Sequence, residues 1–340
     1  MKSHDAKTLN RRSFLNGTLG LAGATTIGSP AVVLAQAPVL FRIATIEAIN
    51  SPMTIYFDKA AALIKQRSGG KIDVQHFPAS QLGGPLQLVQ NTRLGTVQCT
   101  SVGFDADEDL APEAATAALG FIFKDEAHVD KVILGDLGKQ LADIVGKKTG
   151  AEYVAYGETG FRHILATRKV TNLDELKGLK LRVPDTKAAV DFWKTLGANP
   201  TPLPYPEQYS ALSAGVIQGM DSDPFSIIGF KWHETAKHYS MTSNFFLIKA
   251  VRVNHAFLAK LPAELQQVVR GSLQEAFAGQ RAENRAEYGK AVDQLKQQGV
   301  QVYQVTDLPE WRKKSREFYD SYAARFPQAK PMLEALLAAG

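Results

Sequence analysis

The sequence is poor in cysteine: Cys99 is the only one in 340 residues. An intramolecular disulfide is therefore excluded, whatever the redox state of the compartment. Cys99 lies in a short apolar stretch, where a thiol is more often a packed core group than a nucleophile. The composition, 45% hydrophobic and 21% charged, is typical of a globular protein stabilised by packing. The length favours two lobes, because single cores rarely grow beyond ~250–300 residues.

The N-terminal segment lacks the ~20 strongly apolar residues that a membrane-spanning helix needs. It contains the pair Arg11 and Arg12. An uncharged, glycine-rich run follows the pair and is interrupted by Gly28 and Pro30. This pattern is typical of a twin-arginine export signal. We therefore predict that residues 1–35 are a signal peptide and that the mature protein is periplasmic.

Cleavage of the signal is expected after Ala35; the alternative, after Ala37, places Pro38 directly behind the cut. The removed segment carries four basic residues and one acidic residue, a net charge of +3. The formal net charge of +5 therefore falls to +2 in the mature chain. So small an excess gives no reason to expect nucleic acid as a partner.

The chain also lacks the motifs of common catalytic and cofactor sites. It has no G-x-S-x-G, no G-x-G-x-x-G before a helix and no complete phosphate-binding loop. In HETAKH (His233–His238) the histidines are five residues apart, too far around a helix to share a zinc ion, so both are expected in solvent. DADEDL (Asp105–Leu110) lacks the glycine of a calcium loop and is expected to be an acidic surface loop. We predict no catalytic residue, no metal site and no cofactor.

Strand and helix patterns alternate along the mature chain. LFRIATI (Leu40–Ile46) and KIDVQHF (71–77) read as strands, and an amphipathic helix lies between them. AEYVAYGETG (151–160) reads as a further strand, and the alternation restarts with a separate strand at RHILAT (162–167). The pattern predicts an α/β protein with two lobes.

One proline-free stretch stands out near the C-terminus. Residues 263–298 are predicted to form a single helix about 50 Å long, enough to lie across both lobes. A break at Gly271 or Gly279 is the alternative.

The predicted lobes are discontinuous in sequence. Lobe I comprises residues 38–160 and roughly 248–287, and lobe II comprises 161–247 and roughly 288–340. The second lobe contains GLKLRVPD (Gly178–Asp185), in which Leu and Val alternate with Lys and Arg until a proline ends the strand.

Two arginines occupy similar strand settings in lobe II. Arg182 is the last polar residue of its strand, and Arg162 stands near the start of another. Most arginines on strand faces are solvated or paired with an acid. However, α/β sheets place ligands at the carboxyl ends of their strands, and arginine meets a carboxylate with two parallel hydrogen bonds. Arg182 is therefore a candidate anchor for an anionic ligand.

The segment LRVPDTKAAVDFWKTLGANPTPLPYPEQYSALSAGVIQGMDSDP, residues 181–224, closely resembles the diagnostic region of the solute receptors of TRAP (tripartite ATP-independent periplasmic) transporters, the DctP-like family. SGGKIDVQHFPASQLGG (Ser68–Gly84) and GFRHILATRKVTNLDELKG (160–178) support the resemblance. Together the matches extend over nearly all of the mature chain. The resemblance implies a periplasmic-binding-protein-like architecture, with two lobes joined by hinge strands and closing over a ligand.

The resemblance also implies roles for individual residues. Arg182 takes the position of the family's arginine that pairs with the substrate carboxylate, and Arg162 that of a supporting cation. Tyr205 falls at the aromatic pocket wall, where simple packing is the alternative.

Three further positions follow from the same match. Ser222 stands where an asparagine often binds the carboxylate, and a hydroxyl can also donate there. Asp221 and Glu47 are candidates for accepting substrate hydroxyls, and solvated loop acids are the alternative. Where many members have Asp-Gly-Gln-Glu-Asn, this chain has Gln-Gly-Met-Asp-Ser at 218–222. The ligand of better-known members therefore cannot be carried over.

The function implied by the resemblance is that of a monomeric, non-enzymatic receptor. It binds a small organic acid and delivers it to a TRAP membrane permease. Two alternatives stay open at this point: a periplasmic enzyme acting on a small acid, and a receptor for a signalling partner.

Overall fold

The computed structural model describes residues 37–340, so the predicted signal peptide lies outside the described residues. Within this range the strands are β1 (Val39–Thr45), β2 (Ile72–Phe77), β3 (Cys99–Val102), β4 (Ala151–Ala166), β5 (Lys180–Val183), β6 (Asn199–Pro202), β7 (Gly219–Ser222), β8 (His238–Asn254) and β9 (Gln301–Gln304).

The helices alternate with these strands. They are α1 (Pro52–Arg67), α2 (Pro85–Leu94), α3 (Pro112–Ala115), α4 (Glu126–Ile133), α5 (Asp136–Thr149), α6 (Leu173–Leu176), α7 (Lys187–Leu196), α8 (Gln208–Ser213), α9 (Pro224–Gly229), α10 (His255–Lys260), α11 (Ala263–Gln297), α12 (Leu308–Arg325) and α13 (Lys330–Ala339). None of the described helices has the length and apolarity to cross a bilayer.

The strands form one sheet in the order β2-β1-β3-β8-β4-β7-β5-β6, and β9 pairs with β8. On one side β1 runs parallel to β2 and β3, and on the other β5 runs parallel to β6 and β7. The long strands β4 and β8 pair antiparallel between these two groups. The predicted α/β alternation is confirmed, and the two parallel groups are connected through the β4–β8 pair.

The prediction of two separate strands at 151–160 and 162–167 was wrong. These residues form the single strand β4, whose pairing with β8 shifts register at three places. Gly160 has a φ of +87°, a conformation open to glycine at little cost, and it lies at the second of the register shifts. The glycine that looks like a strand end in the sequence is thus absorbed by a β-bulge.

The predicted long helix is confirmed as α11, continuous from Ala263 to Gln297. The alternative of a break at a glycine was wrong, because contacts along the helix compensate for the weak helix propensity of glycine. Gln280 fixes the middle of α11 to β4: its side chain donates to the Glu158 carbonyl at 2.8 Å and accepts from the Glu158 N–H at 3.0 Å. Beside it, Gly279 faces the Tyr56 ring so closely that a Cβ would lie 3.0 Å from it.

The two C-terminal helices contact distant parts of the chain. Helix α12 packs on α7, whereas α13 packs on α3 and α4. Their aromatic and aliphatic side chains belong to the largest hydrophobic cluster, which also includes Phe104 and Trp193. Helix α12 thus contacts predicted lobe II, whereas α13 contacts predicted lobe I. The assignment of the C-terminal residues to lobe II stays a prediction.

The acidic run at 105–110 is not the surface loop that we expected. Asp107 is fully buried and accepts two hydrogen bonds from Arg252, at 2.7 and 2.8 Å. Glu108 is also buried and accepts from the backbone N–H of Ala188 at 3.1 Å. The sequence pattern misleads because the cation that neutralises Asp107 comes from β8, far away along the chain.

Two other side chains are also buried. His233 lies in a 3-10 turn with its Nδ1 3.2 Å from the Ile227 carbonyl, so the prediction of a solvated histidine was wrong. Cys99 is buried in β3, as expected for a core thiol, and burial raises its pKa.

Candidate functional site

The ends of several strands enclose a cavity of about 250 Å³. Glu47 follows the carboxyl end of β1, and Arg182 and Ser222 lie at the carboxyl ends of β5 and β7. These ends meet beside the β4–β8 pair, where open α/β sheets usually bind ligands. The polar and charged residues that line the cavity are Glu47, Gln87, Asp105, Thr159, Arg162, Arg182, Asp185, Thr186, Tyr205, Ser222, Asp223, Ser226 and Lys249.

Arg182 faces this cavity and is 3% exposed. Its neighbours in the strand, Leu181 and Val183, point the other way into the core, as the alternation predicts. The Nε of Arg182 donates to the Leu203 carbonyl at 3.0 Å, but no carboxylate among residues 37–340 pairs with the guanidinium. Burial lowers the Arg182 pKa to about 10, and the charge of nearby Arg162 adds to this effect. A buried cation without a counterion is unfavourable, so this position is suited to an anionic ligand.

Arg162, by contrast, already has a counterion. Its Nε lies 2.9 Å from Oδ2 of Asp221, and it also donates to the Asp221 carbonyl at 2.6 Å. Asn244 donates to the same carboxylate at 3.3 Å, and burial raises the Asp221 pKa. Asp221 does not line the main cavity; it lines a smaller adjoining one, of about 30 Å³, which Arg162 also borders.

Tyr205 and Ser222 both border the main cavity. The Tyr205 ring is half-buried, packs edge-on against Phe230 and Trp232, and lies 5.7 Å from the Arg182 guanidinium carbon. Ser222 is buried, and its backbone carbonyl accepts from the Tyr239 hydroxyl at 3.0 Å. Both side chains are therefore placed to contact a ligand held at Arg182.

Glu47 forms a buried ion pair with Lys249 on β8. Its Oε1 lies 2.8 Å from the lysine Nζ, and both side chains are less than 5% exposed. Sequence reasoning selected Glu47 but missed Lys249. The signal for it was present: a single lysine interrupts the apolar run FFLIKAVRV, where a charged residue needs a buried partner.

Three acids of the cavity were also missed, Asp105, Asp185 and Asp223. Asp223 caps α9: it accepts from the Ser226 N–H at 2.9 Å and from the Ser226 hydroxyl at 2.8 Å, and burial raises its pKa. Asp105 borders both cavities. An Asp before Pro is a helix N-cap pattern that could have located Asp223, whereas Asp105 was hidden in the presumed surface loop.

Residues 43–325 match the model of the bacterial extracellular solute-binding proteins, family 7 (DctP). The chain belongs to this family. Family 7 proteins are the periplasmic solute-binding proteins of TRAP transporters, and they bind solutes without catalysing a reaction. The function predicted for the receptor from its sequence is thereby confirmed, and so is the expectation that it is not an enzyme.

Three relatives illustrate the range of similarity. The 2,3-diketo-L-gulonate-binding periplasmic protein YiaO of Escherichia coli is 30% identical to the receptor over 281 residues, 81% of this chain and 84% of that one. A Roseobacter denitrificans TRAP solute-binding protein with bound β-D-glucuronate has a TM-score of 0.84 and 25% identity, over 88% and 99% of the chains. The sugar acid-binding protein DctPAm of Advenella mimigardefordensis, in complex with galactonate, has a TM-score of 0.83 and 27% identity, over 89% and 98%.

The similarity to these structures also confirms the predicted architecture of this family 7 receptor. Solved TRAP solute-binding proteins have two lobes, hinge strands and a long helix. In this chain the long helix is α11.

Proposed function

We propose that this receptor binds a sugar acid, a small acid with one or more hydroxyl groups, and delivers it to a TRAP permease. The observation that carries the proposal is Arg182: a buried guanidinium that lines the cavity and has no carboxylate partner in the described residues. The named ligands of the three relatives, a diketo-gulonate, a glucuronate and a galactonate, support the same class of ligand.

In this proposal the ligand carboxylate sits on Arg182. A planar guanidinium binds a carboxylate through two charge-assisted hydrogen bonds, which are strong where water is excluded. Arg162 supports it from the side, oriented by Asp221, and Ser222 donates its hydroxyl to the carboxylate. Tyr205 covers one face of the ligand, and Glu47 accepts a hydroxyl.

The proposal includes the division into two lobes. Lobe I comprises residues 38–160 and roughly 248–287, and lobe II comprises residues 161–247 and roughly 288–340. The site residues then divide between the lobes, Glu47 and Lys249 on the first and Arg162 and Arg182 on the second. Binding therefore favours the closed arrangement, because only there does one ligand contact both sets.

The first prediction concerns binding without turnover. A panel of aldonates, uronates and dicarboxylates is screened by thermal unfolding of the mature protein. The cognate acid is expected to stabilise the protein by about 2.7 kcal/mol at a hundredfold excess over its dissociation constant. Mass spectrometry after prolonged incubation should recover the acid unchanged.

Consumption of the acid by the purified protein would favour the alternative of an enzyme and contradict the proposal. A signalling role is separated from transport by deleting the permease subunits. Uptake of the acid is expected to stop, and uptake that continues undiminished would contradict delivery to that permease.

The second prediction concerns export by the twin-arginine route, which we propose from Arg11 and Arg12. Changing both to lysine keeps the charge, and the precursor is expected to remain in the cytoplasm, as seen by fractionation and immunoblotting. The matched control changes Lys2 and Lys7 to arginine and should leave export unaffected. Normal periplasmic yield in a strain without the twin-arginine translocase would show that another route is used.

A further inference from the structure

We propose that the buried Glu47–Lys249 pair determines how many carboxylates a ligand of this cavity can have. By holding the charge of Lys249 within the protein, Glu47 restricts the cavity to acids with a single carboxylate and excludes dicarboxylates of the same size. This inference rests on the proposed function, and it deepens that function by specifying the class of sugar acid.

The first argument comes from the charges around the cavity. Three cations line it, Arg162, Arg182 and Lys249. Arg162 pairs with Asp221 at 2.9 Å, and Lys249 pairs with Glu47 at 2.8 Å. Only the Arg182 guanidinium is left for a ligand anion among the described residues.

The second argument comes from the remaining acids. Asp105, Asp185 and Asp223 border the same cavity. A second ligand carboxylate would lie among these acids with no free cation to neutralise it. Asp223 is buried and Asp105 is half-buried, whereas Asp185 is exposed. Like charges repel more strongly beside a buried carboxylate than in water, because the effective dielectric constant is lower there.

The third argument concerns the part of the ligand that is not its carboxylate. Both carboxylate oxygens of Glu47 are buried and make no hydrogen bond within residues 37–340, although Oε1 lies 2.8 Å from the Nζ of Lys249 in an ion pair. A buried carboxylate oxygen without a donor is costly, and an ionised carboxylate can only accept. A ligand hydroxyl supplies the missing donor, whereas a ligand carboxylate presents two further acceptors. The pair thus selects a neutral, hydroxyl-bearing end.

The test uses ligands that differ at one carbon. Galactonate ends in a CH₂OH group, and galactarate carries a second carboxylate in its place; gluconate and glucarate serve as a second set. Calorimetry is performed on the wild type and on Glu47→Gln, which keeps the shape of the side chain but releases the charge of Lys249.

The wild type is expected to prefer the monoacid by about a hundredfold or more, since an unpaired buried charge costs several kcal/mol. In Glu47→Gln the ratio of the two affinities should fall at least ~tenfold, because the charge of Lys249 becomes available to the second carboxylate of the diacid. The double variant Glu47→Gln/Lys249→Gln removes both charges and should again reject the diacid. If Glu47→Gln does not fold, Glu47→Ser, which also releases the charge of Lys249, is measured in its place with the same expected fall in the ratio.

The control is Glu264→Gln, which removes the same charge from an exposed position in the first turn of α11, outside the cavity. It should leave both affinities unchanged. Equal binding of monoacid and diacid by the wild type, or an unchanged ratio in Glu47→Gln, overturns this inference alone. A wild type that binds no sugar acid at all overturns the proposed function instead, so the two failures are distinct.

Discussion

Arg182→Ala is expected to weaken binding of the sugar acid by about 2–5 kcal/mol, the range for removing one partner of a buried charge pair. The variant leaves the ligand carboxylate enclosed without its cation. The protein itself should not be destabilised, because the free form loses only an unpaired buried charge and a hydrogen bond to the Leu203 carbonyl. Calorimetry measures the affinity, and thermal unfolding without ligand measures the stability.

Two further variants separate charge from shape. Arg182→Lys keeps the charge but loses the planar pair of donors, so binding should still weaken markedly. Arg162→Ala should weaken binding less than Arg182→Ala, because Asp221 already neutralises much of its charge. Arg316→Ala, on the exposed surface of α12, is the control. Binding by Arg182→Ala within about threefold of wild type, under ~0.7 kcal/mol, would mean that the anchor lies elsewhere.

The second large effect concerns stability. Asp107→Ala should lower the free energy of unfolding by about 3–5 kcal/mol, because it leaves the Arg252 guanidinium buried without a counterion. Both side chains are at most 1% exposed, and the pair makes two hydrogen bonds of 2.7 and 2.8 Å. It ties the turn after β3 to β8, near the centre of the sheet. Chemical denaturation followed by circular dichroism measures the loss.

Replacing both partners distinguishes an orphaned charge from a lost contact. Asp107→Leu/Arg252→Met should recover much of the stability, because an apolar pair leaves no charge uncompensated. The exposed pair of Asp174 with Lys177 provides the control, and Asp174→Ala should lower the stability far less than Asp107→Ala. A loss below about 1 kcal/mol for Asp107→Ala would contradict the account of this pair.

Local patterns in the sequence predicted local structure well. Alternation in GLKLRVPD placed Arg182 opposite its apolar neighbours, and burial of Leu181 and Val183 confirms it. Asn172 stands directly before α6, where asparagine is a favoured N-cap, and its Oδ1 accepts from the Glu175 N–H at 2.9 Å. The long uninterrupted pattern of α11 was correct because helical periodicity depends only on neighbouring residues.

Pairs between distant residues could not be predicted in the same way. Lys249 and Glu47 meet because β3 pairs with β8, and the register of that pairing depends on the whole sheet. The contact between Asp107 and Arg252 also depends on the pairing of β3 with β8. The candidate site was therefore found only where the sequence carries a local or family pattern. Its four remaining charged residues became visible with the fold: Asp105, Asp185, Asp223 and Lys249.

Cys99 makes the molecule a convenient scaffold for a fluorescent reporter. The only sulfhydryl of the chain is enclosed in β3, and its raised pKa leaves very little reactive thiolate at neutral pH. A maleimide dye would therefore attach only to a cysteine introduced on purpose. Leu86 borders the cavity and is 39% exposed, so a dye at that position would change its surroundings when a ligand enters. The natural scarcity of cysteine thus allows optical detection of binding without removal of the native Cys99.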